Sequence, residues 1–314
     1  MKTPILFLVF NRPDTTRKVF AEIRNVRPPR LYISADGPRL EQDGEAEKVS
    51  QVRKLIQNGI DWECEVHTLF RDQNLGCRRA VSSGITWFFE QEEEGIILED
   101  DCIPDRTFFR YCEELLERYR CDSQMMTISG NNFLFGRKRT PYSYYFSRYP
   151  HIWGWATWRR AWKLFDTHME NWPKLREGQW LYDIFRGDEY AVFSWDEIFQ
   201  SVYTDEINSW AYIWTLSSWM QNGLAITPDR NLVSNIGFGS TATHTKSKAN
   251  QQANVASEPM TFPLKHPPFI IRDVKADEIT ERTVFGNTPL RRWYKLVRTR
   301  GAALKRSLSQ LRAS

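Results

Sequence analysis

Three consecutive carboxylates, Glu99, Asp100 and Asp101, close a short apolar run from Ile96 to Leu98. Adjacent acids repel one another, and a cation beside them relieves that repulsion. Oxygen donors suit Mg²⁺ or Mn²⁺, which keep several waters and bind through one or two carboxylates plus substrate phosphates. The chemistry on offer is metal-assisted handling of a phosphorylated ligand. The competing reading is a solvated acidic turn that extends the acidic run Glu90 to Glu94. A second stretch, Arg71 to Ala80, places Gly76 before Arg78 and Arg79 at a helix start. Backbone N–H groups, the helix dipole and guanidinium groups converge at such a point on an anion. Arginines in a first helical turn are also often merely solvated.

The elements that must position these groups follow from hydrophobic patterning. Pro4 to Phe10 and Arg30 to Ser34 are strand-like, and a helical repeat (Val19, Phe20, Ile23, Val26) lies between them. Glu41 to Asn58 reads as a helix, Glu63 to Phe70 as a strand and Ala80 to Phe89 as a helix. Ile96 to Leu98 is the next strand, surfacing at the acids. This β-α-β-α-β-α-β order predicts a three-layer α/β/α sandwich on a mostly parallel sheet. Ligands bind outside the carboxyl ends of the strands in such sheets. Beyond the acids, a helix from Pro104, strands at Met125–Ser129 and Tyr142–Arg148, a helix over Ser209–Gln221 and a strand at Leu224–Pro228 are expected. Residues 166–193 read as a helical excursion. Phe269 and Ile271 suggest one more edge strand.

The chain has 314 residues, enough for one large domain or two small ones. Its net charge is only +4, which gives no argument for nucleic acid as a partner. Five cysteines, odd in number and without a Cys-x-x-Cys pair, read as reduced thiols in a cytoplasmic setting. Lys2 leads directly into a strand-like run, so a signal peptide is not expected. No stretch of 18 apolar residues offers a membrane span. The 13 tryptophans, most of them between 153 and 219, fit either a core layer or a sugar-stacking surface. From Asn287 onward there are eight Lys or Arg and no acid, with leucines near one helical stripe. Such a basic amphipathic helix can lie peripherally on an anionic membrane, here the inner face of the cytoplasmic membrane. It can equally pack on the body.

Taken together, Asn11-Arg12-Pro13, Ser34-Ala35-Asp36-Gly37, Asn74 to Ala80, Ile96 to Asp101, Gly130-Asn131-Asn132 and Trp153 to Trp158 resemble the GT-A glycosyltransferases. The nearest similarity is to the N-acetylglucosaminyltransferase I family and related bacterial family 2-like enzymes. It spans about Pro4 to His244. The resemblance implies a GT-A (Rossmann-like) domain over 1–245, with a nucleotide-sugar half (1–130) and an acceptor half (131–245). A polar loop and edge segment (246–286) and the basic helix (287–314) follow. It further implies an inverting, metal-dependent transfer from a nucleotide-sugar, a UDP-sugar in particular, to a saccharide or lipid-linked saccharide in surface polysaccharide synthesis. By resemblance Asp101 binds Mn²⁺ or Mg²⁺, Glu99 and Asp100 contact the donor's sugar and ribose, and Arg12 contacts its phosphates. Asp36 reads the uracil edge. Asn74, Arg78 and Arg79 join the donor site, Gly154-Trp155 shapes the acceptor site, and His244 lies by the diphosphate on the metal side.

One departure bears on catalysis. Relatives carry a Trp-Asp base segment where this chain has Trp210-Ala211, and alanine accepts no proton. Asp196, Asp205 and Glu206 are the nearest carboxylates in sequence and stand as alternative bases. A protein that binds nucleotide-sugar or saccharide without transfer is the other functional reading. A nucleotidyltransferase is disfavoured, because no glycine-rich, lysine-bearing signature follows the first strand.

Overall fold

The computed structural model describes residues 1–238 and 252–286. The first half alternates as expected: β1 (Ile5–Val9), α1 (Pro13–Val26), β2 (Arg30–Ala35), α2 (Glu45–Gly59), β3 (Glu65–Phe70), α3 (Gly76–Gln91) and β4 (Glu94–Glu99). Next come β5 (Cys102–Pro104), α4 (Arg106–Arg118), β6 (Met125–Ser129), β7 (Tyr144–Ser147), β8 (Trp155–Trp158) and α5 (Arg159–Trp162). The chain continues through α6 (Trp172–Glu177), α7 (Leu181–Ile184), α8 (Glu189–Tyr203), α9 (Ala211–Met220), β9 (Leu224–Pro228), β10 (Val233–Asn235) and α10 (Val274–Thr283).

Eight strands form one sheet in the order β3-β2-β1-β4-β8-β6-β9-β7. β1 to β4 are mutually parallel, β8 runs antiparallel to both its neighbours, β9 is parallel to β6, and β7 closes the edge antiparallel. The mostly parallel three-layer sandwich expected from the sequence is therefore present. One face is covered by α1, α2 and α4 through Val19, Phe20, Ile23, Val52, Phe108 and Leu115. The other is covered by α3, α5 and α9 through Ile85, Phe88, Trp162 and Trp214. Because both faces are covered, β1 is buried at all five positions and shows no polar alternation.

The position of β1 sets the site. From β1 the chain moves through α1 to β2 and through α2 to β3, always in one direction. α3 then carries it back across the sheet to β4, on the other side of β1. α1 and α4, which follow β1 and β4, pack on the same face, so the carboxyl ends of these two adjacent strands meet at one rim of the sheet, the crevice where ligands bind in such sheets. A small second ribbon pairs β5 with β10, matching Asn235 to Cys102 and bringing residues 235–238 over the end of β4.

Two expectations change. The Trp153–Trp158 stretch is not only a turn: residues 155–158 are a strand inserted between β4 and β6. Its ends face opposite layers, with Trp155 among Trp162, Trp210 and Trp214 and Trp158 against the α4 side. A four-residue strand buried on both faces has no alternation to reveal it. Phe269 and Ile271 do not form an edge strand. Pro267 and Pro268 withhold backbone donors there, and a single bridge joins Phe146 to Arg272. The expected helix at 287–314 lies outside the described residues. The helical excursion expected over 166–193 is present and runs on through α8 to Tyr203; Trp172, Trp195 and Phe199 form a core there with Trp219 of α9.

Trp155 is 0% exposed and stacks at 5.7 Å on Trp210. Replacing it with alanine removes a large ring from a filled layer, and Trp155→Ala is expected to lower unfolding free energy by about 3–5 kcal/mol in urea titrations.

Candidate active site

The acids at the end of β4 and the loop after β1 meet in the crevice. Asn11-Arg12-Pro13 ends β1 and starts α1 in one step: Pro13 is preorganised for the first helical turn, and the Arg12 carbonyl accepts from Thr16 N at 3.0 Å. The Arg12 side chain is left to cross the end of β1. Its guanidinium pairs with Asp100 and, through Nη1, with Asp101 Oδ2 at 2.8 Å. The backbone N–H of Phe10 also donates to Asp100, at 3.4 Å. Burial weakens the Arg12 charge, but Asp100 and Asp101 outweigh it and hold the guanidinium more firmly protonated than usual.

Asp101 is fixed from the β10 side. Its backbone carbonyl accepts from Ile236 N at 2.9 Å. Its Oδ1 faces the Asn235 amide at 3.5 Å and the Cys102 thiol at 3.4 Å. Gly237 comes so close that a methyl at its Cα would lie 1.9 Å from Asp101 Oδ2. Only a residue without a Cβ lets the backbone approach the carboxylate in this way. Gly237 is not among the residues that the sequence singles out, and the small-residue run from Asn231 to His244 is its one signal.

Glu99 faces the same crevice and is partly exposed. Burial first, and then the charges of Asp101 and Asp100, push its carboxyl up to about 8, with Arg12 acting in the opposite sense. Asp100 is also raised, by burial, against the pull of Arg12. Cys77, at the start of α3, is a neutral thiol: burial and then Glu99 push it up to about 12. Burial likewise raises Cys102 well above the ordinary thiol range, as befits a space-filling group and not a ligand.

The α3 start is occupied by protein groups. Asp36 accepts from Leu75 N at 2.9 Å, Gly76 N at 3.2 Å and its neighbour Gly37 N at 2.9 Å. Asn74 donates its amide to Asp36 at 3.0 Å and to the Gly37 carbonyl at 2.8 Å. Asn208 accepts from Arg78 N at 3.0 Å. The Arg78 side chain turns away to Asp205, the Val202 carbonyl and the Thr167 carbonyl. The anion cradle expected from Gly76, Arg78 and Arg79 is therefore largely taken up internally, with Asp36 as its built-in anion. Arg79 is exposed beside it.

Gly154-Trp155 also differs from expectation. Gly154 adopts φ +70°, and Val233 would meet a Cβ there at 2.8 Å, so this turn does need glycine. Trp155, however, reaches no surface. The partly exposed ring is Trp153, edge-on to Phe238 at 5.4 Å and to Phe133 at 5.3 Å. Phe238 follows Gly237 directly, so this aromatic wall continues from Asp101. His151 stands behind it against Phe133, and burial pushes it down to about 3, leaving it neutral.

The three proposed bases are spread along and beyond α8. Asp196 is held by Arg176 at 2.8 and 2.9 Å in the helical excursion, away from the crevice elements. Glu206 accepts from the Ser201 hydroxyl at 3.0 Å. Asp205 pairs with Arg78, which ties it to α3. Ala211 opens α9, packed against the Trp155 layer. His244 lies outside the described residues. Among the described residues no group of three or more His, Cys, Asp or Glu is arranged to hold a metal.

No protein-family model matches the chain. No curated protein matches it either. Among solved structures, HddC from Yersinia pseudotuberculosis aligns over 50% of this chain and 77% of its own, at 10% identity and a TM-score of 0.31. UDP-glucose pyrophosphorylase complexed with UDP-glucose aligns over 43% and 64%, at 11% identity and a TM-score of 0.25. The apo-form glycosyltransferase GlyE from Streptococcus pneumoniae TIGR4 aligns over 60% and 39%, at 13% identity and a TM-score of 0.28. Likenesses this slight assign no activity.

Two measurements follow from the geometry. Asp36→Ala leaves several buried or part-buried N–H groups without their acceptor and is expected to cost about 1–3 kcal/mol in urea denaturation, before any ligand is present. Glu99 keeps its proton in the folded chain between its ordinary value and about 8, whereas the unfolded chain releases it. That stabilisation is full at acid pH and disappears as pH rises through 8. Glu99→Gln, in chelator, should match wild type at pH 4.5 and melt above it at pH 9. With partial exposure discounting the shift, the gap is about 2 kcal/mol, or roughly 3–6 °C by differential scanning calorimetry.

Proposed function

We propose that this chain is a glycosyltransferase that moves a sugar from a nucleotide-sugar donor to a saccharide or lipid-linked saccharide acceptor. The observation that carries this reading is the Glu99-Asp100-Asp101 cluster facing Arg12 at the β1/β4 crevice. Three carboxylates against one guanidinium leave an excess of negative charge, which adds to burial in raising Glu99. Asp100 and Asp101 would suit a hard divalent cation that takes one or two carboxylates and completes its shell with water and phosphate oxygens. Asp101, with Asp100 beside it, would hold Mg²⁺ or Mn²⁺, and the ion would stabilise charge developing on a diphosphate leaving group.

The chain's own groups do the remainder. Arg12 orders both aspartates and presents a positive charge to phosphate. Asn235 and Gly237 fix Asp101, which keeps the cluster preorganised and spares reorganisation when charge develops. Trp153 and Phe238 give the crevice an aromatic wall on which a sugar ring can stack. UDP as the nucleotide and inversion as the stereochemical course belong to the same proposal. Asp36 then acts through its hold on the Asn74–Gly76 loop as much as through any contact with the base. Of the acids proposed to take the acceptor's proton, Asp205 is the one linked to the α3 side of the crevice, through Arg78.

A second reading, binding without transfer, rests on Ala211, which puts no carboxylate in the first turn of α9. A screen of UDP-, GDP- and dTDP-sugars with Mn²⁺ or chelator separates the two. Metal-dependent release of one nucleoside diphosphate supports transfer. Thermal stabilisation by UDP and Mn²⁺ with no release, even when saccharide acceptors are added, supports binding alone. Absence of both would overturn the reading of the acid cluster. Asp101→Ala is expected to lower release at least about 10³-fold, and Gly237→Ala about tenfold or more through displacement of Asp101. Wild-type turnover by Asp101→Ala in saturating Mn²⁺ would remove the acid from the mechanism.

A further inference from the structure

At the opposite edge of the sheet from β3, the chain shows three consecutive large apolar side chains to water. Phe269 is 71% exposed, Ile270 40% and Ile271 70%. The segment that carries them is anchored at both ends. Ser143 N donates to the Lys265 carbonyl and Lys265 N to Ser143 Oγ, each at 2.9 Å. Asp273 N donates to the Phe146 carbonyl at 2.8 Å. Between these anchors Pro267 and Pro268 stiffen the chain and prevent it from adding to β7 as a ninth strand. The result is a fixed apolar projection, not a frayed end.

Basic residues frame it. Arg137, Lys138 and Arg139 are all exposed, and Arg139 pairs with Asp273 at 3.1 Å, which places this loop next to Ile271. Arg272 pairs with the buried Asp277 at 2.9 Å. The neighbouring acids Asp273 and Asp277 are thus already neutralised, and His266 faces Glu114 at 3.3 Å. Among the described residues no acid pairs with Arg137, Lys138 or Lys265. The sequence beyond α10 adds eight Lys or Arg with no acid between 287 and 314.

We propose that Phe269, Ile270 and Ile271, framed by Arg137, Lys138 and Lys265, form a membrane-docking loop that enters the surface of an anionic bilayer. The apolar tip takes up the boundary between headgroups and acyl chains, and the basic frame is drawn to the anionic lipid headgroups. A projecting apolar tip with a cationic collar matches a lipid surface, which yields around it. A protein partner would need a preformed pocket of complementary shape. No helix of the described residues is long and apolar enough to cross a membrane, so the contact is peripheral. The lipid contact then belongs to the folded body and is independent of the transfer reaction.

Co-sedimentation of the full chain with vesicles of phosphatidylcholine alone, or with about one third phosphatidylserine, tests it at low and high salt. Binding is expected with the anionic vesicles and should weaken as salt screens the basic frame. Phe269→Ser/Ile271→Ser and, separately, Arg137→Glu/Lys138→Glu should each reduce partitioning by about tenfold or more. All four residues are exposed, so both variants should keep the wild-type melting temperature. In Phe269→Trp, a blue-shifted emission that appears only with anionic vesicles would place the tip in lipid. Wild-type partitioning by both double variants would overturn the proposal and leave the attraction to 287–314. No binding by the wild-type chain would overturn it as well. So would a wild-type oligomer that Phe269→Ser/Ile271→Ser disperses, since the tip would then be a contact between copies.

Discussion

The candidate site depends on one electrostatic constraint: three carboxylates at the end of β4 share a single guanidinium. Arg12 can reach both aspartates because Pro13 turns the chain into α1 immediately after β1. The sheet order then puts β1 directly beside β4, with Leu8 opposite Glu99 in the ladder. Separate these strands by one position and the acids would lose their only close cation among the described residues. Even so, one positive charge does not balance three negative ones. Burial and this imbalance together push the Glu99 carboxyl up.

The surrounding architecture keeps that imbalance in place. Asp101 is hemmed in by Asn235 and Gly237 from the β5–β10 ribbon, so it cannot swing out to water to relieve the repulsion. Asp36, at the end of β2 on the far side of β1, is held just as firmly, but its charge is spent on backbone N–H groups at the head of α3. Two aspartates at strand ends along the same rim of the sheet therefore have different fates. One is held by backbone N–H groups, and the other by Arg12, the Asn235 amide and the Cys102 thiol.

Much of this was legible in the sequence because it rests on local rules. Apolar runs broken by polar strand ends mark β1, β2 and β4, and the placing of Glu99 to Asp101 after Leu98 puts the acids at the crevice. What stays hidden depends on contacts far apart along the chain. The hold of Asp36 on Leu75 and Gly76 spans some forty residues. The press of Gly237 on Asp101 spans many more and leaves no mark except a glycine among others. Trp153 and Trp155 are alike in composition, yet the turn at Gly154 and the strand that follows send one to the crevice wall and the other to the core. The carboxylates along and beyond α8 form a group only by nearness in sequence, and in the fold they answer to Arg176, Ser201 and Arg78.

The insertion of β8 between β4 and β6 also has a consequence for biosynthesis. During translation the first four strands can assemble while β4 still has one open edge, and its partner is encoded more than fifty residues later. Until Trp155 to Trp158 emerge, β4, with its Ile96-Ile97-Leu98 run, offers unpaired backbone groups to any passing strand. The interval between acids and tryptophans is thus a window of vulnerability to aggregation. It also means that a polypeptide cut between the two halves would yield two open edges instead of two domains.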